Sequence, residues 1–468
     1  ICHCGHNIAG SVDVEGLADW AGTLPDVAIA RDYKFMCSSL GQELVEDDIR
    51  SLGLTGVVVA ACSPHMHEPT FRRACERAGL NAYVFEMANI REHVSWVHPG
   101  DKETATEKAK AVVAGAIRRV AQLEPLEAFR TEINETTLVV GGGIAGITAA
   151  LEIANAGFSV VLVERASTIG GHMVLFDKTF PTLDCAACIL TPKMFDVAMH
   201  PNITLMTYAD VEQVDGYIGN FTVRVRQKAR KIDTDLCTGC GDCWERCPAK
   251  VIDTEFEAGL GYRTAIYRAF AQAIPKYPVI DTENCIYFQK GTCKACEKFC
   301  PTQAINFAQE DKTVVLNVGN IVLATGFQLF DAKRIPQYGY GRLANVFTSM
   351  EFERMVNSAG PTNGRVVLRD GVTTPKSVAI IHCVGSRDHR YNRHCSAICC
   401  MASLKFSHLV KERTGAEVYS FYIDIRTPGK GYEEFFRRVQ EEGVTFVRGR
   451  PAEVVRENGK LVIVGEDT

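Results

Sequence analysis

Long apolar runs are missing from this chain. None of its uninterrupted hydrophobic segments reaches the roughly 18 to 20 residues of a membrane span, so no transmembrane segment is expected. Basic blocks are missing too: 51 Lys and Arg stand against 56 Asp and Glu in 468 residues, a formal net charge of -5. That mildly acidic balance argues against nucleic acid as the main partner. The run Arg224, Arg226, Lys228 alternates with apolar residues and reads as the solvated face of a strand. No signal-peptide pattern stands at the start, and no compositional bias marks disorder or fibre. The chain opens at Ile1 rather than Met and stops soon after a strand-like Lys460–Val464, so a trimmed polypeptide is expected. Its length, at 46% hydrophobic, suits two or three globular domains.

What the chain does have is cysteine. Nineteen would suggest a disulfide scaffold in a small secreted domain; in a chain this long they fit thiolate ligands in a reducing cytoplasm. Eight fall into Cys237-x2-Cys240-x2-Cys243-x3-Cys247-Pro248 and Cys285-x7-Cys293-x2-Cys296-x3-Cys300-Pro301. In such a two-cluster ferredoxin pattern three sulfurs of one tight loop reach one 4Fe-4S cube, and the Cys before proline reaches the other. On that pattern Cys237, Cys240, Cys243 and Cys300 hold one cluster, and Cys285, Cys293, Cys296 and Cys247 the second. Structural zinc also uses C-x2-C pairs, but the third Cys and the Cys-Pro endings disfavour it.

Residues 1–130 read as an N-terminal α/β domain, with a strand at Leu54–Ala61, a helix from Glu68 to Ala78 and another from Lys108 to Leu123. Cys2, Cys4, Cys37, Cys62 and Cys75 lie here without standard cluster spacing. Buried free cysteine is the favoured reading for Cys75 and stays open for the others. Thr137–Val140 is then a strand breaking into Gly141-x-Gly143-x-x-Gly146, followed by a helix Ile147–Ala156 and a strand Ser159–Val163 ended by Glu164, 18 residues after Gly146. The glycines admit a pyrophosphate at the helix N-terminus, and Glu164 can accept from ribose hydroxyls. FAD is favoured over NAD because Glu164-Arg165 with Gly170-Gly171, and Ile321-Val-Leu-Ala324-Thr325-Gly326, look like those of two-dinucleotide-binding flavoproteins. Those pieces flank the ferredoxin cysteines. The expected layout is therefore a flavin domain at 131–231 and 313–375 with a ferredoxin domain inserted at 232–312.

Residues 376–468 read as a second nucleotide-binding domain, with a strand Ser377–Ile381, a helix Cys395–Glu412 and a strand Ala416–Asp424. Its glycine fingerprint is absent. The chain instead reads His382-Cys383-Val384-Gly385-Ser386-Arg387, and Cys395, Cys399 and Cys400 open the helix, with Cys395 and Cys399 on one face. Cys383, Cys395, Cys399 and Cys400 are the expected ligands of a third 4Fe-4S cluster, its charge stabilised by the helix dipole. Small buried residues are the bland alternative.

Between Gly171 and Lys193 stands Pro181-Thr-Leu-Asp184-Cys185-Ala-Ala-Cys188-Ile-Leu-Thr-Pro192-Lys193, which looks like the redox-active segment of the glutathione reductase class, with C-x2-C in place of C-x4-C. Three readings stay open for Cys185 and Cys188: exchange with a disulfide from a helix start, ligation of a cluster shared with the N-terminal cysteines, or structure alone.

The order of these motifs resembles the heterodisulfide reductase A-subunit family of electron-bifurcating flavoproteins. Carrying the resemblance are Ile1-Cys-His-Cys-Gly-His, Ala61-Cys-Ser-Pro-His, Asp184-Cys-Ala-Ala-Cys-Ile-Leu-Thr-Pro-Lys, the inserted ferredoxin and Cys395-x3-Cys399-Cys400. It implies a thioredoxin reductase-like fold whose members usually continue with the end of the flavin domain and often a further ferredoxin module. It also implies FAD taking electron pairs from a partner and splitting them between ferredoxin and a higher-potential acceptor. The implied partners are the other subunits of a cytoplasmic heterodisulfide reductase-like complex, an electron-donor subunit of hydrogenase, formate or NADH dehydrogenase type, and ferredoxin; a homodimer within the complex is compatible with it. Similar subunits serve class II benzoyl-CoA reductase complexes. By the same resemblance Lys405 is a candidate for contacting the flavin N5, although helical lysines are usually solvated, and His172 either lies along the FAD phosphates or packs. Two other readings compete: an NAD(P)H-dependent disulfide or glutamate-synthase-like reductase, and a scaffold whose clusters carry no current.

Overall fold

The computed structural model describes residues 1–127 and 129–468, which form two compact units, Ile1–Thr131 and Glu132–Thr468. In the first, helices α1 (Val14–Ala21) and α2 (Ser39–Leu52) precede strand β1 (Val57–Ala61), and α3 (Pro64–Arg77) leads to β2 (Phe85–Asn89). The two strands pair in parallel from Val57 opposite Phe85 to Ala61 opposite Asn89. The strand expected from Leu54 starts three residues late because Gly53 ends α2 in the left-handed region (φ 60) and the Leu54 N–H still bonds Ile49 O at 3.2 Å. The last helix, α4 (Lys102–Val120), begins well before Lys108: Asp101 caps it by accepting from Thr104 N–H at 3.1 Å. Cys75 is fully buried among Val59, Phe71 and Phe85, a packing cysteine.

The second unit is built on a parallel sheet in the order β13-β3-β4-β5, made by β3 (Thr137–Val140), β4 (Val160–Glu164), β5 (Ile203–Thr207) and β13 (Asn320–Leu323). Every residue of β4 is buried, as the unbroken run Val160–Val163 requires of a strand covered on both faces. Helices α5 (Ile144–Asn155) and α6 (Ala186–Met199) close over it through Ile147, Leu151, Leu190 and Val197. Beside it lies an antiparallel sheet of β6 (Ala209–Tyr217), β7 (Asn220–Gln227) and β12 (Lys312–Val318). On β7, Val223 and Val225 are buried while Arg224 and Arg226 face solvent, the alternation expected for that basic run.

The eight clustered cysteines lie between β7 and β12, in residues 228–311. There the hairpin of β8 (Lys250–Asp253) with β9 (Gly261–Thr264) and the pair β10 (Ile266–Tyr267) with β11 (Val279–Ile280) surround a small core of Ile232, Ile266, Ile280 and Ala304. Two buried arginines tie this insertion to the rest of the unit. Arg230 donates to Ser167 O at 2.7 Å, and Arg354 pairs with Glu257 at 3.0 Å while lying 4.2 Å from the Phe256 ring centroid.

Arg354 belongs to α7 (Ser349–Val356), whose start carries a capping box: Thr348 Oγ1 accepts from Glu351 N–H, and Glu351 accepts from Thr348 N–H at 2.6 Å. Replacing Thr348 by alanine should cost about 1 kcal/mol of stability, read as a lower thermal midpoint; an unchanged midpoint would mean that tertiary packing alone holds this helix. A third sheet, β14-β15-β16, is parallel and comprises β14 (Ser377–Ile381), β15 (Glu417–Tyr422) and β16 (Thr445–Arg448), with α8 (Cys399–Thr414) and α9 (Tyr432–Glu441) packed on it. The chain ends in a hairpin of β17 (Glu453–Glu457) and β18 (Lys460–Val464).

Candidate functional site

A cavity of about 1820 Å³ opens in the second unit, larger than the roughly 300 to 1000 Å³ of ordinary small-ligand pockets and suited to an extended dinucleotide. Its wall includes Gly141, Gly143, Glu164, Arg165, Gly171 and His172, together with Ala324, Thr325 and Gly326. All these sequence-predicted residues meet because β13 pairs with β3, setting Leu323 beside Val140, with Ala324 N–H bonded to Val140 O at 2.8 Å. Gly146 sits one turn behind them inside the strand–helix junction. A Cβ there would lie 1.8 Å from Gly141 O, and one on Gly141 (φ 107) 2.3 Å from Ala324 O, so both must be glycine for the backbone to pack. At Gly143 the nearest atom to an added Cβ is Gly171 Cα at 3.8 Å. That opening at the N-terminus of α5 fits a pyrophosphate. Glu164 is buried and already accepts from Gly142 N–H at 2.6 Å and Ala166 N–H at 2.8 Å, which fixes its carboxylate with lone pairs to spare for a ribose. His172 packs its ring 4.4 Å from that of Phe327, and burial, then the charge of Arg165, pull its pKa below the usual histidine value.

In the insertion the thiols gather as two sets that cross between the halves of the sequence pattern. Burial pushes the Cys237 thiol up, and Cys300 and Cys240 add to this; burial pushes Cys243 up to about 12, with Cys237 and Cys240 as neighbours and Cys296 of the other set also near. In the other set burial takes Cys296 to about 12, with Cys285, Cys247 and Cys293 as its charged neighbours. Among the described residues no three His, Cys, Asp or Glu side chains are arranged to hold a single metal ion. Two sets of four thiols, each drawing its fourth from the far Cys-Pro, fit two cubes.

The third thiol group corrects one expectation. Helix α8 starts at Cys399, so Cys395 lies in the preceding loop and shares no helix face with it. The loop is folded back on itself: Ala397 takes a left-handed φ of 61, Ser396 N–H bonds Ser386 Oγ at 3.1 Å, and Arg387 N–H bonds His394 O at 3.1 Å. Three of the sulfurs, Cys383, Cys399 and Cys400, still come together, with Cys395 in the loop beside them. Hydrogen bonds from Cys383 and then Cys400 lower the Cys399 thiol, while those same contacts, with burial, raise Cys383 and Cys400; Cys395 is a charged neighbour of Cys400. Cys383 and Cys399 line the same cavity as the glycine cradle.

Lys405 is not a solvated helical lysine. It is 2% exposed, its Nζ pairs with buried Glu353 and donates to Lys178 O at 2.9 Å, and the ammonium lies 5.1 Å from the Phe176 ring centroid. Burial holds the Glu353 carboxyl above the usual range despite this cation. Lys405, Glu353 and Lys178 all border the cavity. Lys178 in turn bridges Cys185 across a short hairpin. Cys185 and Cys188 form a disulfide at the start of α6; both are exposed, and neither lines the cavity.

The first unit holds a cluster that spacing left open. Cys2 is pushed up by burial and has Cys4 and Cys37 as neighbours, and Cys62, at the end of β1, has Cys4 and Cys2 near it. Cys4 N–H bonds Cys2 Sγ at 3.2 Å, and Arg91 Nη1 donates to Cys4 Sγ at 3.4 Å. A cysteine at a strand end, as Cys383 also is, was the available signal.

Residues 139–199 match the model of the NAD(P)-binding Rossmann-like domain, and residues 230–253 that of the 4Fe-4S binding domain. A curated relative, the A-subunit of the H(2):CoB-CoM heterodisulfide,ferredoxin reductase of Methanothermobacter marburgensis, is 50% identical over all of this chain and 71% of its own length. The second iron-sulfur A-subunit of the CoB--CoM heterodisulfide reductase of Methanopyrus kandleri is 51% identical over the same shares. The A-subunit of the ferredoxin:CoB-CoM heterodisulfide reductase of Methanosarcina mazei is 46% identical over all of this chain and 59% of its own. Among solved structures, Lactococcus lactis thioredoxin reductase matches at 10% identity over 71% of each chain with a TM-score of 0.35, a distant likeness. No helix among the described residues is long and apolar enough to cross a membrane.

Proposed function

The chain belongs to the heterodisulfide reductase A-subunit family, and on that premise we propose that it is the electron-dividing iron-sulfur flavoprotein of a multisubunit complex. Bound FAD would supply the point where an electron pair is separated into single electrons, and 4Fe-4S clusters the one-electron stations toward ferredoxin and a higher-potential acceptor. The chain has residues for each. Gly141, Gly143 and Gly146 with Glu164, Arg165, Gly171, His172 and Ala324 to Gly326 would hold the flavin. Four thiol sets would hold the clusters: Cys237, Cys240, Cys243 and Cys300; Cys285, Cys293, Cys296 and Cys247; Cys383, Cys395, Cys399 and Cys400; and Cys2, Cys4, Cys37 and Cys62. Lys405 would place a fixed positive charge at the reacting edge of the flavin, held there by Glu353 and Lys178 O.

One observation carries this reading. Cys383 and Cys399 wall the flavin cavity at the end of β14 and the start of α8, the junction where a nicotinamide-binding domain would need its glycine loop. Electrons therefore meet the flavin through thiolate-held metal and partner subunits, the donor being of hydrogenase, formate or NADH dehydrogenase type. The test is iron and flavin content of the intact complex: about sixteen iron atoms and one FAD per chain if all four sets are filled. Cys399→Ser should remove about four of those iron atoms and leave FAD bound. Unchanged iron in that variant, or rapid bleaching of the flavin by NADH in the isolated chain, would favour the NAD(P)H-dependent reductase instead.

A further inference from the structure

Cys185 and Cys188 are the one bonded pair among the nineteen cysteines, the other seventeen being free. Both are exposed at the start of α6, whose buried side is Ala186, Leu190, Met194 and Val197. The sulfurs thus stand on the outer side of the helix, which further along also leaves Phe195 and Met199 58% and 66% exposed. Nothing in the turn depends on the S–S bond. The hairpin before α6 is closed by Thr179 N–H to Asp184 O at 2.8 Å, Ala186 N–H to Asp177 O at 3.1 Å and Thr182 Oγ1 to Asp184 at 2.6 Å. The helix is capped by Cys188 N–H bonding Cys185 Sγ at 3.2 Å, a contact that a free thiolate accepts at least as well. The bond also closes one of the shortest possible loops, so it restricts little of the unfolded chain. Opening it would leave the local fold intact.

We propose that Cys185–Cys188 is a dithiol–disulfide exchange site on the protein surface that takes an electron pair from a vicinal dithiol. A donor thiolate attacks Cys188 Sγ; the S–S bond breaks and Cys185 leaves as the thiolate, stabilised by the Cys188 N–H and the helix N-terminus. The donor's second thiolate then attacks the donor sulfur of the mixed disulfide and releases Cys188. Two electrons pass to the pair, the two donor thiol protons end on Cys185 and Cys188, and the donor becomes a disulfide. The exposed apolar side of α6 gives such a donor a surface to approach.

The experiment uses the cofactor-loaded complex under anaerobic conditions, with dihydrolipoamide as a small dithiol and reduced thioredoxin as a protein one. After alkylation and peptide mapping, labelling of Cys185 and Cys188 should rise about tenfold with a competent donor. A response to both, or to dihydrolipoamide alone, identifies an open small-molecule site; a response to thioredoxin alone identifies protein docking. A Cys185→Ser variant, which keeps the attacked Cys188 and removes the sulfur it pairs with, should trap oxidised probe on Cys188, and the double variant C185S/C188S should stop donor consumption with iron and flavin unchanged. The proposal is overturned if neither donor raises labelling, or if the double variant loses iron, which would make the pair cluster ligands. Because iron and flavin are counted separately, either failure leaves the reading of the cavity and thiol sets standing or falling on its own.

Discussion

Leucine in place of Gly143 should give a folded chain that keeps its iron and no longer retains FAD. Gly143 is the N-cap of α5 with φ -76 and ψ 179, extended backbone that any residue adopts, and the nearest atom to an added Cβ is 3.8 Å away. The protein therefore has room for a Cβ there. The ligand does not: a pyrophosphate must approach the first N–H groups of α5 closely, and leucine would occupy that approach. FAD affinity should fall a hundredfold or more, about 2.7 kcal/mol. Gly146→Leu is the useful contrast, since its Cβ falls 1.8 Å from Gly141 O and must push strand and helix apart. The first variant should lose flavin with an unchanged circular dichroism spectrum, and the second should lose both. Stoichiometric FAD on Gly143→Leu after gel filtration would remove the cradle from the flavin site.

Lys405→Met should destabilise the second unit by about 3 to 5 kcal/mol, because it leaves Glu353 buried with no cation. The size of the loss should depend on pH. Glu353 already titrates above the usual carboxylate range, and removing the ammonium raises it further. A carboxyl whose folded pKa lies above its unfolded value stabilises the fold fully below the unfolded pKa, and that contribution is lost as pH rises through the folded one. Wild type and variant should therefore change together up to the raised wild-type pKa of Glu353, and the variant should fall behind above it, by up to about 1.4 kcal/mol per unit, until its own still higher pKa is passed. Adding Glu353→Gln should restore most of the loss, since an uncharged pair leaves no buried ion. Unfolding midpoints at pH 4 and pH 8 test both statements. Equal losses at the two pH values would mean that packing, not charge, is what Lys405 contributes.

The parts of the site that could be read in advance are those written in local spacing. The glycine triplet, Glu164 and Ala324-Thr325-Gly326 depend on a strand followed by a tight turn, and β3 and β14 begin and end where their apolar runs do. The ferredoxin cysteines depend on loop lengths that geometry fixes. Misread or open features depended on distant contacts. Cys395 left the helix because Ser386 and His394 anchor its loop, which no helical period reveals. Cys2, Cys4, Cys37 and Cys62 are joined only by the way the end of β1 meets the chain start. Lys405 looked solvated because α8 carries Lys, Ser and His among its apolar residues, yet Cys400, Met401 and Ser403 to Val410 are all buried, enclosed from several sides.

The insertion enters from β7 and returns into β12, adjacent strands of one sheet, and only then does the chain reach β13, the edge strand that pairs with β3. The segment Ala324–Gly326 that completes the flavin cradle thus leaves the ribosome after the whole ferredoxin insertion. Synthesis has a built-in order, in which the insertion is complete before the last strand of the nucleotide sheet is made. The two cofactor sites are therefore linked by chain order: the nucleotide sheet takes its final strand from residues made only after the whole insertion.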